Sequence, residues 1–166
     1  MSRPCETKLL AAEPDSTAPD GTAVRLLLSL GAGSMAHFEL PAGAVSHAVT
    51  HLTVEEIWYV LSGRGALWRR SQDDERIEPI GPGVAVTIPL GVAFQFRAEE
   101  GAPLAFLAVT MPPWPGMSEA VAVAGAWTPT VAAGRDFQPC AATRPLVGQE
   151  SAQKRRFSSV GRATVL

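Results

Sequence analysis

The chain has 166 residues, 46% of them apolar and 18% charged, with a formal charge of −2. That is enough apolar material for one packed domain and too little length for two sizeable ones. Its 15 Gly and 14 Pro argue for many tight turns and against a helical bundle, and its weak acidity argues against a nucleic-acid binder. No apolar run reaches the roughly 18 residues of a membrane span.

Residues 1–22, rich in Pro, Asp, Thr and Ala, are expected to form a flexible arm with a short strand over 8–11. No apolar stretch of signal-peptide length precedes Glu13 and Asp15, so a cytoplasmic protein is expected, with Cys5 and Cys140 as reduced thiols. From Ala23 the chain breaks into short segments bounded by Gly and Pro. Strands are expected over 24–30, 35–40, 45–52, 56–61, 66–69, 76–80, 84–88, 92–97 and 104–111. Ser62-Gly63-Arg64-Gly65 reads as a hairpin turn, and Asp73-Asp74, Gly81-Pro82-Gly83 and Pro89-Leu90-Gly91 as further turns. Regular short strands with this punctuation predict an all-β sandwich or barrel over 23–111. Residues 112–133 are expected to pack on the barrel, with 118–127 as one edge strand or a drape and Trp114 and Trp127 as anchors. Residues 134–166 read as a disordered tail with a basic end at Lys154, Arg155, Arg156 and Arg162. Within it, the codons AGC-TCA-GTT-GGT-AGA-GCA would encode Ser158-Ser159-Val160-Gly161-Arg162-Ala163 and match the D-arm of many transfer-RNA genes, so the reading frame is expected to run into such a gene.

The stretch from Gly43 to Gly63, GAVSHAVTHLTVEEIWYVLSG, resembles the first conserved motif of the cupin superfamily. Gly43, His51, Glu56 and Gly63 stand at its positions, with four residues between His51 and Glu56 and six between Glu56 and Gly63. In GVAVTIPLG, Gly83, Pro89 and Gly91 match the second motif. The resemblance implies a jelly-roll barrel (a double-stranded β-helix) over roughly 24–111. It also implies a divalent Fe, Mn, Ni or Zn ion held by three His and one Glu.

Here the sequence departs from the pattern. Val49 stands at the first His position, Phe94 at the second-motif His position and Ala98 at the Asn position, which leaves His51 and Glu56 as metal ligands. His47 shares a strand face with Val49 and His51, but four residues of extended chain place it about 13 Å from His51, so it joins only if a bulge turns it inward. The cofactor expected is therefore none, or a weakly held divalent ion.

With His51 and Glu56 inward, alternation turns Trp58, Val60, Phe94 and Phe96 inward and Gln95 and Arg97 outward. Two interiors follow. The aromatic side chains either fill the barrel as core, or they wall a cavity for a small, partly apolar organic ligand touching Val49, Trp58, Phe94 and Phe96, with His51 and Glu56 as polar handles. His51 and Glu56, on neighbouring strands in the resemblance, are expected to hydrogen-bond, raising the His pKa and making an acid–base dyad. The alternative function is then a metal-assisted or His/Glu acid–base enzyme: a dioxygenase, isomerase, epimerase or cyclase. His37, on the polar face of its strand, is expected in solvent. Ile57, Tyr59 and Leu61 make the face opposite Glu56 apolar, so a homodimer is expected, with no nucleic-acid or membrane partner.

Overall fold

Period-two alternation is clearest in EEIWYVLS, where Glu56, Trp58 and Val60 are buried and Glu55, Ile57, Tyr59 and Leu61 are exposed. A computed structural model describes residues 4–134 and shows this strand as one of eleven. They are β1 (Ser16–Thr17), β2 (Ala23–Ser29), β3 (Ser34–Leu40), β4 (Val49–His51), β5 (Glu55–Ser62), β6 (Gly65–Arg70), β7 (Glu75–Ile80), β8 (Ala85–Ile88), β9 (Ala93–Ala98), β10 (Leu104–Met111) and β11 (Ala120–Ala122). One sheet runs β1-β2-β3-β10-β5-β8 and the other β11-β4-β9-β6-β7, with all pairs antiparallel. The two sheets face each other as a jelly-roll barrel. Among the described residues no helix is long and apolar enough to cross a membrane. Cys5 is exposed and unbridged; Cys140, the basic end and the tRNA-like hexapeptide lie outside the described residues.

Four local expectations are corrected. No strand forms over 8–11; β1 lies further on, at Ser16–Thr17, and pairs with Val24 and Ala23 of β2. The preceding segment is tied to β2 by Lys8 donating to the Leu26 carbonyl, Arg25 donating to the Ala12 carbonyl, and the Leu26 N–H donating to Asp15. The strand expected over 45–52 shortens to β4, with a single bridge between Val45 and Arg97 before it. Ser62-Gly63-Arg64-Gly65 is not a hairpin. β5 and β6 belong to different sheets, and the chain crosses between them at this point. Gly63, at φ +74°, passes so close to the Pro103 carbonyl that no Cβ fits, and Gly65 is equally tight against the Arg97 carbonyl. The fourth correction concerns His37, which is buried rather than solvated. Directly opposite it on β2 stands Arg25, whose side chain is held to Ala12, so the arm and this guanidinium cover the outer face there.

The core is aromatic. Trp58 stacks on Phe106 with ring centroids 4.3 Å apart and meets Phe94 and Phe96 edge-on at 5.5 and 5.2 Å. Gln95 points outward as expected but is fully buried, because residues 125–127 drape over it. Its amide donates to the Ser46 and Trp127 carbonyls and its Oε1 accepts from the Trp127 N–H, all within 2.9 Å. The segment after β10 therefore contributes both the edge strand β11, paired with β4, and a drape anchored by Trp127.

Candidate functional site

Cross-strand register explains why the barrel is not filled. One inward row runs Val24–Phe38–Phe106–Val60 and is large; the next runs Leu26–Ala36–Ala108–Trp58, with alanines at its centre. The third row, Ser34–Thr110–Glu56, is polar. Two small side chains between a bulky row and a polar one leave a cavity of about 700 Å³, walled by β2, β3, β4, β5, β9 and β10. Trp114 and Met117, from the segment after β10, roof it. Of the two interiors open to the sequence, the one with a cavity is the one formed.

Val49, His51, Glu56, Trp58 and Phe94 all line this space. Phe96 does not: it packs in the core behind the wall, edge-on to Trp58 and Phe106, and is corrected from ligand contact to support. His47 is not turned inward either. Its Nε2 lies 2.9 Å from the Val131 carbonyl oxygen, which directs the ring toward the draped segment.

His51 and Glu56 do not form the expected pair. β4 and β5 belong to opposite sheets, and the two side chains enter the cavity from different walls. His51 is 6% exposed and sits edge-on between Phe94 and Trp114, at 5.1 and 5.3 Å. Burial lowers its pKa to about 4, against a weaker upward pull from Glu119, so the imidazole is neutral rather than charged at neutral pH. Glu56, 5% exposed, accepts a 2.6 Å bond at Oε2 from Trp58 Nε1. Burial raises its pKa to about 7; the Trp58 bond opposes this and the charge of Asp20 adds to it.

Asp20 is one site residue that the sequence reading missed. It lines the cavity and is buried, with Oδ1 accepting from the Thr22 N–H at 3.0 Å and the Thr22 hydroxyl at 2.6 Å. Burial pushes its carboxyl up, while the two Thr22 bonds and, more weakly, the charge of His47 pull it down. Asp20-Gly21-Thr22 reads in sequence as a surface turn, and the turn does form, with Gly21 at φ +92°. Ser34 and Thr110 were missed as well; their hydroxyls lie 2.6 Å apart in the polar row.

A divalent ion does not fit this donor set. The hydrocarbon side chains of Val49 and Phe94 occupy two of the three positions where the resemblance implies imidazoles. Among the described residues no three His, Cys, Asp or Glu side chains come together as a metal-binding group.

Glu119 fixes the roof. From a 3-10 turn over Met117–Glu119, Oε1 accepts from the N–H groups of Thr53 and Val54 and Oε2 from the Thr53 hydroxyl, at 2.5, 2.8 and 2.8 Å. Burial pushes this carboxyl up, but the three bonds together outweigh it and hold it below the usual range. Glu119→Gln keeps one acceptor and loses the charge. It is expected to cost about 1–2 kcal/mol and to speed hydrogen exchange at the Thr53 and Val54 amides, while exchange in β6 stays unchanged.

Residues 36–110 match the family model of the Cupin domain. No curated protein has a significantly similar sequence. Among solved structures, the fold is similar to an oxalate decarboxylase of Bacillus subtilis, with TM-score 0.62 and 16% identity over 74% of this chain and 34% of that one. It is also similar to Pac13 of Streptomyces, a nucleoside dehydratase, with TM-score 0.57 and 12% identity over 77% of this chain and 95% of that one. A Bacillus halodurans protein, BH2720, gives TM-score 0.52 and 20% identity over 61% of this chain and 76% of that one. The chain thus spans about a third of the decarboxylase. At these identities the likeness is one of fold.

Proposed function

Residues 36–110 form a Cupin domain, and on that premise we propose that its barrel takes up a small, partly apolar organic molecule, held by aromatic walls and oriented by His51 and Glu56. The observation that carries this reading is the cavity itself: about 700 Å³ of space, lined mainly by apolar side chains, into which a few polar groups converge. The test uses Nile red, a neutral apolar dye. The wild-type protein should bind it at one site with enhanced emission, and Ala36→Trp, which fills the cavity between Leu26 and Ala108, should abolish the signal without unfolding the barrel. Absence of saturable dye binding by the folded wild type would overturn the reading.

One observation favours a second reading, that of an enzyme. Glu56 faces the cavity with a pKa of about 7, near which a carboxyl both gives and takes protons efficiently. Turnover of a bound molecule with a pH profile that Glu56→Gln removes would select this reading over binding alone.

For the outer face of Ile57, Tyr59 and Leu61, each about half exposed in the single chain, the occupant proposed is a second copy of the chain. Met35, Val109 and Ile57 stand side by side across three strands and widen the apolar strip. Tyr59→Glu is expected to lower the mass in sedimentation from dimer to monomer; a wild-type protein already monomeric would remove the proposal.

A further inference from the structure

The charge in the cavity is one-sided. Asp20 and Glu56 supply two carboxyl groups to its lining, and no Arg lines it. The one Lys on the lining, Lys8, is an exposed side chain whose Nζ donates at 2.5 Å to the Leu26 carbonyl. Neither carboxyl is fully used by the protein. Trp58 occupies Oε2 of Glu56 and Thr22 occupies Oδ1 of Asp20, while Glu56 Oε1 and Asp20 Oδ2 have no hydrogen-bond partner among the described residues.

His51 adds a third unspent group. It is more than nine-tenths buried, lines the same space, and makes no hydrogen bond among the described residues; its Nδ1 is shut away without a partner. A buried acceptor without a partner is costly, so the free Glu56 oxygen on the lining points to a donor on the ligand, whereas the His51 Nδ1 atom is closed off from it. The rest of the lining is mainly aliphatic and aromatic, with Phe38, Trp58, Phe94, Phe106 and Trp114 as its rings and the Ser34 and Thr110 hydroxyls in the polar row.

From this arrangement we propose that the molecule bound in the barrel is a primary amine carried on a flat apolar ring, with its ammonium group beside the Asp20 and Glu56 carboxyls and its ring against the aromatic side chains of the lining. An ammonium has three N–H donors and no acceptor, and each of the two carboxyls keeps an acceptor oxygen that the described residues do not use. Aromatic faces attract a cation, an attraction that is larger where water is excluded. The same carboxyl groups repel carboxylate and phosphate ligands, for which the lining holds no guanidinium clamp.

This inference rests on the ligand-binding reading above, and the test separates the two. Calorimetry compares three indoles of similar size: tryptamine, the neutral tryptophol and the anionic indole-3-propionate. Tryptamine should bind at least about tenfold more tightly than tryptophol, and indole-3-propionate more weakly than both. Asp20→Asn and Glu56→Gln, which keep the acceptors for Thr22 and Trp58, should each shrink the preference for tryptamine over tryptophol. If tryptophol binds as tightly as tryptamine, or if both variants retain the full preference, the amine assignment is overturned and the cavity reading stands. If Nile red is taken up but none of the indoles binds, the amine assignment again falls alone. If the dye too is excluded, the cavity reading falls and the amine assignment with it.

Discussion

Trp58→Ala is expected to destabilise the barrel by about 3–5 kcal/mol, a large part of the roughly 5–15 kcal/mol that holds a domain of this size together. Two losses combine. The first is packing: the indole stacks on Phe106 at 4.3 Å and receives Phe94 and Phe96 edge-on, so its removal takes the centre from the aromatic cluster. The second is polar: Nε1 gives Glu56 a hydrogen bond at 2.6 Å, and without it a buried carboxyl stands alone. Trp58→Phe separates the two, keeping a ring in place and deleting the donor, and should cost about 1–2 kcal/mol. Urea unfolding followed by circular dichroism measures both variants. An Ala variant within about 1 kcal/mol of wild type would mean that the void merges harmlessly with the existing cavity and that Trp58 is not the core's centre.

The residues differ in how far they could be read without the structure. The inward setting of Glu56, Trp58, Val60 and Phe94 follows from alternation on β5 and β9, a local property that the backbone enforces. Extending the same parity to the ends of β3 and β10 would have exposed Ser34 and Thr110, whose small polar side chains look like turn residues. Other features depend on partners distant in sequence. At Gly63 the composition spells a hairpin, and only the pairing of β5 with β10 and of β6 with β9 shows that the chain changes sheets there. His37 looks solvated on its strand until Arg25 and the N-terminal arm cover it. Asp20 sits in a turn whose sequence signals a surface loop, yet β1 and β2 bring that turn to the cavity wall. His51 lines the cavity, but its charge state is the reverse of the one expected: pairing with Glu56 was to raise its pKa, and burial between two aromatic rings lowers it against the weaker pull of Glu119.

That inversion sets up opposing pH effects within one cavity. Glu56 holds its proton up to about pH 7 in the folded protein against 4.5 in the unfolded chain. Over that interval the native state binds more protons, so the contribution of Glu56 to stability is full below pH 4.5 and declines as pH rises toward 7. His51 runs the other way. Its folded pKa of about 4 lies below the unfolded 6.5, so its contribution is full above pH 6.5 and is lost as pH falls toward 4. Each effect amounts to about 3 kcal/mol across its interval, and between pH 5 and 6.5 they largely cancel. Asp20, raised by burial, leans the same way as Glu56 just above its ordinary range. The wild-type protein is therefore expected to show a nearly flat stability profile between pH 5 and 6.5, and two single variants to unmask opposite slopes. Glu56→Gln, which keeps an acceptor for Trp58, should become steadily more stable as pH rises through this window and should exceed wild type at pH 8. His51→Gln should lose stability over the same rise. Urea unfolding of the three proteins at matched ionic strength gives the slopes. Parallel profiles for wild type and both variants would show that neither group changes its proton affinity on folding, and hence that neither is as deeply desolvated as its place in the barrel requires.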